Sequence, residues 1–164
     1  MLRRLLAVTA LLAAIPAAST AASTASTFTA FGPQLGFSSG PDQFVVGGHL
    51  QWGDIAPRLD FVPGIDLGFG DNITLVSLNG DFHYRIATST AWQPYVGGGI
   101  GLHFESANNT TGSARSSDTR TGGHFIAGFM VPTQARSRFF TELKLGFGDA
   151  PDLKVVAGWN YRSR

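Results

Sequence analysis

The chain has 164 residues, enough for one domain, and carries 21 Gly, no Cys and only 14% charged residues. The missing Cys excludes a disulfide scaffold and Cys-based metal sites, and the charge is well below the roughly 25% of soluble domains. The 12 basic and 11 acidic residues form no basic patch or stripe, which excludes a nucleic-acid partner.

Met1–Ala22 reads as a secretory signal peptide. Arg3 and Arg4 form a basic start, Leu5–Ile15 is apolar, and small residues follow, with cleavage after Ala21, Ala22 or Ala25. The apolar run is too short to stay behind as a spanning helix, and no longer one follows it. Losing Arg3 and Arg4 moves the net charge from +1 to −1. A Ser/Thr/Ala-rich leader runs to Thr27, and residues 28–162 are predicted to form one β-barrel domain.

Turn signals then cut the chain into eight alternating segments: Phe28–Ser38, Gln43–Gly53, Arg58–Gly70, Ile73–Ile86, Trp92–Glu105, Gly122–Thr133, Arg138–Gly148 and Leu153–Tyr161. A period of two is the mark of a strand between unlike environments. In the third, Leu59, Phe61, Pro63, Ile65, Leu67 and Phe69 oppose Arg58, Asp60, Val62, Gly64, Asp66 and Gly68. In the fourth, Val76, Leu78, Gly80, Phe82 and Tyr84 oppose Ser77, Asn79, Asp81, His83 and Arg85. The fifth, WQPYVGGGIGLHFE, sets Trp92, Val96, Ile100, Leu102 and Phe104 against Tyr95, Gly97, Gly99, Gly101, His103 and Glu105. Its length exceeds the roughly 9–11 residues that a tilted strand needs to cross a bilayer.

Most connections are short and rich in Gly, Pro, Asp, Asn or Ser, as hairpins require. Ser106–Thr121, SANNTTGSARSSDTRT, is the exception and is predicted as a mobile surface loop. Eight strands joined in this way form an up-and-down meander, which closes most economically into a barrel. The fold class expected is therefore all-β, an eight-stranded antiparallel up-and-down transmembrane β-barrel.

Alternation alone also fits a secreted lipocalin-like carrier with the apolar face lining a cavity. Three features favour a membrane barrel with the apolar face in lipid. The polar face carries few, balanced charges: Asp60, Asp66, Asp81, Glu105 and Glu142 against Arg58, Arg85, Lys144, Lys154 and Arg162, a set that a narrow lumen would hold as ion pairs. Trp52, Tyr84, Trp92, Trp159 and Tyr161 fall at one end of the apolar face, and Phe37, Phe44, Phe69, Phe104, Phe125 and Phe147 at the other, as two interface girdles would. With the first strand rising from the periplasm, Ser106–Thr121 and the tips near Gly40, Asp71 and Ala150 face the exterior, and the short turns face inward.

WQPYVGGGIGLHF, the Gly- and aromatic-rich hairpins and the C-terminal VVAGWNY together resemble the small bacterial outer-membrane β-barrel family, the eight-stranded OmpA/OmpX-like type, over about residues 28–161. The resemblance implies a bacterial outer-membrane location, a monomer, outer-membrane lipid and lipopolysaccharide as surroundings, and insertion by the barrel assembly machinery. Such chains usually end on an aromatic that this machinery reads. Here Tyr161 would supply it, followed by Arg162, Ser163 and Arg164.

No enzymatic activity or cofactor is expected. His103, Glu105 and Ser106 suggest a hydrolase, but two of them share one strand face and the third opens the loop. His49, His83, His103 and His124 all face inward, where two or more could hold a metal; polar packing is the simpler reading. Gly97–Gly101 lacks the spacing and following helix of a phosphate-binding loop. The expected role is structural or surface-interacting, with a filled lumen and the 106–121 loop on display; a narrow ion pathway is the remaining alternative.

Overall fold

The computed structural model describes residues 27–70, 73–107, 116–134 and 136–163. The predicted signal peptide, the Asp71 tip and the middle of the predicted 106–121 loop lie outside these residues.

Eight strands follow in order: β1 (Thr27–Ser39), β2 (Gln43–Ala56), β3 (Leu59–Gly70), β4 (Ile73–Arg85), β5 (Gln93–Ala107), β6 (Ser116–Gln134), β7 (Ser137–Gly148) and β8 (Leu153–Arg162). Each pairs antiparallel with the next, and β1 closes on β8 through pairs from Ala30↔Arg162 to Ser39↔Leu153, so the sheet is a closed barrel. Closure satisfies the edge strands that a flat eight-stranded meander would leave open.

The wall is inverted relative to a soluble domain. Ile100 is 69% exposed, Phe37 65%, Phe125 57% and Trp92 57%, whereas Asp60 and Asp66 are each 1% exposed. The alternating apolar sets of the sequence therefore face outward, and the polar sets face the lumen except at strand ends such as Arg58, Glu105 and Arg162. This is the reverse of a cavity-lining carrier, and it corrects the lipocalin-like alternative: the large apolar face of the described wall is outside.

Aromatics mark the two ends of the outer surface. At the end holding Thr27 and Arg162, Phe28 packs on Trp52 (5.7 Å between ring centroids), Trp92 stacks on Phe129 (5.3 Å) and Phe139 meets Trp159 (5.4 Å). At the opposite end, Phe37 meets Phe44 at 5.4 Å and Phe125 meets Phe147 at 5.3 Å. At about 3.3 Å per residue and a tilt of about 40°, the spacing from Phe28 to Phe37 or from Phe44 to Trp52 separates the two belts by about 20–23 Å.

Among the segment ends that differ from expectation are those of β2, β3 and β6; β2 runs on to Ala56, past the expected end at Gly53. β6 begins at Ser116, and Ser106 and Ala107 pair with Ser117 and Ser116, so the flanks of the predicted loop are a continued hairpin. These flanks have no apolar residue but Ala107, yet the backbone ladder needs no apolar face, and Arg120 bridges to Glu105 on the neighbouring strand (3.5 Å). β3 begins at Leu59, because Arg58 occupies a left-handed turn conformation (φ 64°) that takes it out of the alternation.

Candidate functional site

The lumen is organised around buried carboxylates. Asp66 on β3 accepts hydrogen bonds from Gln34 (2.6 Å), Asn79 (2.9 Å) and Lys154 (3.0 Å). Asp81 on β4 accepts from the His124 imidazole (2.8 Å) and from Lys144 Nζ (2.5 Å). Glu142 on β7 accepts from the Tyr95 hydroxyl (2.8 Å) and lies 3.4 Å from Lys144 and 3.6 Å from His83. Lys144 thus bridges Asp81 and Glu142. The sequence makes this arrangement locally simple: each of these side chains sits on the inward phase of its strand, and the barrel curvature brings strands distant in the chain together.

An apolar layer lies beside these networks. Tyr95, Ile126, Met130, Phe140 and Val156 form one buried cluster inside the barrel. His83 stacks on Tyr95 (4.7 Å) and His49 meets Phe140 edge-on (5.1 Å), while His49 Nε2 also donates to Asn160 Oδ1. The cavities described in this part of the lumen measure about 10 Å³ each.

The two mouths differ. At the upper mouth, the end opposite Thr27 and Arg162, His103 Nδ1 shares a hydrogen bond with the Ser77 hydroxyl (2.8 Å), while its Nε2 has no hydrogen-bond partner among the described residues. Glu105 and Asp118 flank Arg120 at 3.5 and 3.0 Å. At the lower mouth Arg85 pairs with Asp54 and lies 3.3 Å from Asp60, and Gln51 donates to Asp60 (2.7 Å). Asp54 is held there by a positive φ of 54° and a backbone N–H donated to Asp60 (3.1 Å).

Of the charged residues expected in the lumen, Asp60, Asp66, Asp81, Arg85, Glu142, Lys144 and Lys154 are drawn into these contacts. Three sit elsewhere. Arg58 is exposed on the β2–β3 turn for the backbone reason given above. Glu105 stands at the upper rim with Arg120, because β5 and β6 continue past the β7 end. Arg162 is exposed at the lower mouth, at the end of the last strand. Of the belt aromatics, Tyr84, Trp92, Trp159 and Tyr161 are exposed on the outer wall; Trp52 is half-buried between Phe28 and Phe61.

Gln34, Gln51, Asn79 and Asn160 are luminal partners that a search for charges passes over. Strand phase identifies them: each occupies an inward position of its alternating segment. Asp54 carried no such signal, since its position depends on the turn conformation. The four His residues each take a separate partner, and among the described residues no group of three or more His, Asp or Glu converges as a metal site would.

No family model matches the sequence, and no curated protein matches it. Solved structures do share the fold. Neisserial surface protein A superposes with a TM-score of 0.65 at 13% identity, covering 83% of this chain and 96% of its own. The N-terminal β-barrel domain of Pseudomonas aeruginosa OprF gives 0.64 at 15% identity, covering 83% and 95%. A de novo designed transmembrane β-barrel gives 0.55 at 17% identity, covering 82% and 95%. The fold is thus that of small eight-stranded outer-membrane barrels. Because a designed protein shares it, the architecture by itself implies no biological role.

Proposed function

We propose that this chain is a monomeric bacterial outer-membrane barrel, exported by a cleaved signal peptide and inserted by the barrel assembly machinery. Its surroundings are outer-membrane lipid and lipopolysaccharide. It acts as a rigid, non-enzymatic wall that presents the β5–β6 hairpin and the neighbouring tips at the cell surface. The observation that carries this reading is the inverted wall, with Ile100 69% exposed outside and Asp66 1% exposed inside. In water such a surface would be an aggregation hazard; in lipid it is the stable arrangement.

The buried ion-pair networks and the apolar layer across the lumen support a plug rather than a channel, since an eight-stranded barrel leaves room for side chains and little more. A hydrolase reading draws no support from Ser77 and His103: both are 2% exposed, and the second ring nitrogen has no carboxylate to orient it.

The test is to express the full chain with its leader, fractionate the cells and run the membrane pellet on a gel with and without heating. Outer-membrane recovery with a heat-dependent mobility shift is expected. Soluble protein released without detergent would overturn the membrane assignment. Planar-bilayer recordings should show no unitary conductance above background, and a stable conductance would refute the plugged lumen.

A further inference from the structure

The lower mouth holds a polar cavity of about 210 Å³, between the ends of β1, β2, β3, β4, β5, β7 and β8. It holds several times the roughly 30 Å³ share of one water molecule, so a small oxyanion and its hydration fit inside. Three guanidinium groups line it, from Arg85, Arg138 and Arg162. Its two carboxylates, Asp54 and Asp60, are both engaged by Arg85. Among the described residues neither Arg138 nor Arg162 has a carboxylate within ion-pair distance. Arg138 instead bonds to the neutral Gln93 carbonyl (3.1 Å), is partly buried, and feels the repulsion of Arg162 and Arg85, which the Asp60 carboxylate offsets in part.

Two like charges facing one half-enclosed cavity raise the energy of the empty state, and an anion between them relieves it. Asn160, on the same wall, is already bonded to His49 and Met130 and leaves the anion to the arginines. Arginine presents planar, forked donors that suit tetrahedral oxyanions in particular. The Gln93–Arg138 bond also borders a second cavity of about 290 Å³, lined by Thr88 and Thr90 of the β4–β5 turn, so a group attached to the anion has somewhere to go.

We propose that Arg138 and Arg162 form a binding site for a phosphate group at the lower mouth, with Gln93 as a neutral partner. The phosphate comes either from free solute or from the headgroup of an anionic phospholipid beside the Trp belt. The site does not depend on the plug in the middle of the lumen.

The test uses the whole barrel refolded into zwitterionic phosphatidylcholine nanodiscs at low ionic strength, with arginine side-chain N–H resonances read by NMR. In one arm inorganic phosphate is titrated. In the other no phosphate is added and the nanodiscs are doped with phosphatidylglycerol. Saturable movement of the Arg138 and Arg162 resonances in the first arm identifies free phosphate; movement in the second identifies a headgroup. Arg138→Gln and Arg162→Gln should each weaken the response about tenfold or more, as expected for losing a charge-assisted contact. Arg58→Gln, an exposed arginine at the same end outside the cavity, should leave it unchanged. The proposal is overturned if neither arm moves the two resonances saturably, or if Arg58→Gln weakens the response as much as Arg138→Gln. The wild-type resonances give the answer even where a variant fails to refold, and the heated-gel shift reports folding separately.

Discussion

Lys144→Met is the most informative single change. Lys144 Nζ lies 2.5 Å from Asp81 and 3.4 Å from Glu142, and all three side chains are within a few per cent of full burial. Met matches the lysine stem in length and flexibility, so the substitution removes charge without opening much space. It leaves two carboxylates facing a gap in the lumen. Breaking a buried ion pair by removing one partner costs about 3–5 kcal/mol. His124 still serves Asp81, and Tyr95 still serves Glu142, which places the expected loss at the low end, about 3 kcal/mol. That corresponds to about a 150-fold change in the folding equilibrium. Urea unfolding of the barrel in lipid vesicles, followed by tryptophan emission, measures it, because all three Trp sit in one belt. Adding Asp81→Asn should recover part of the loss, with a coupling of about 1–3 kcal/mol between the two sites. A loss below about 1 kcal/mol with no coupling would mean that water already screens the pair. The reasoning from burial would then fail, and with it the expectation of a closed lumen.

Further outcomes follow from the same geometry. Ile100→Arg places a charge at mid-strand on the outer wall and should cost about 2–4 kcal/mol in vesicles, whereas a wall facing water would tolerate it; the vesicle unfolding midpoint decides between them. Gly47→Ala sets a Cβ 2.1 Å from the Asp66 carboxylate and 2.5 Å from the Ile65 carbonyl, while at Gly48 the nearest atom is 3.5 Å away. The first should destabilise by about 1–3 kcal/mol and the second by less than about 0.5 kcal/mol, a contrast between adjacent residues that denaturation midpoints reveal. Arg120→Gln removes the exposed pair with Glu105 and Asp118 and should leave the urea unfolding midpoint nearly unchanged, with the heated-gel shift intact.

Period-two alternation made the eight strands, their turns and their two faces legible, because lipid and lumen impose opposite demands on successive residues. The girdles resolved which face was which, through the clustering of Trp at one end. What the alternation could not carry was register across the lumen. Asp66 and Lys154 are 88 positions apart, and Gln34 and Asp66 are 32 apart. Their meeting depends on the stagger of strands around the closed barrel, which no local pattern encodes. The hairpin flanks from Ser106 and Ser116 are illegible for a different reason: their Ser- and Thr-rich sequence carries no apolar alternation, and the backbone ladder pairs them. Arg58 was misplaced because one left-handed turn residue shifts the phase without altering the composition.

The glycines and the polar plug are one device rather than two. In a globular core, volume is filled by apolar side chains from every wall. Here the inward space is narrow and must hold charged groups together with their partners, so some wall positions have to supply no side chain at all. A Cβ at Gly99 would lie 2.1 Å from Asp81 Oδ1 and 2.9 Å from His124 Nε2, and one at Gly47 would lie 2.1 Å from Asp66 Oδ1. The empty positions therefore coincide with the two carboxylates that organise the lumen. Glycine costs conformational entropy in a strand, and that cost is offset because the space it leaves allows each buried carboxylate to reach the donors that make its burial tolerable. The run that resembles a phosphate-binding loop in the sequence is, in the barrel, the wall against which Asp81, His124 and Lys144 assemble.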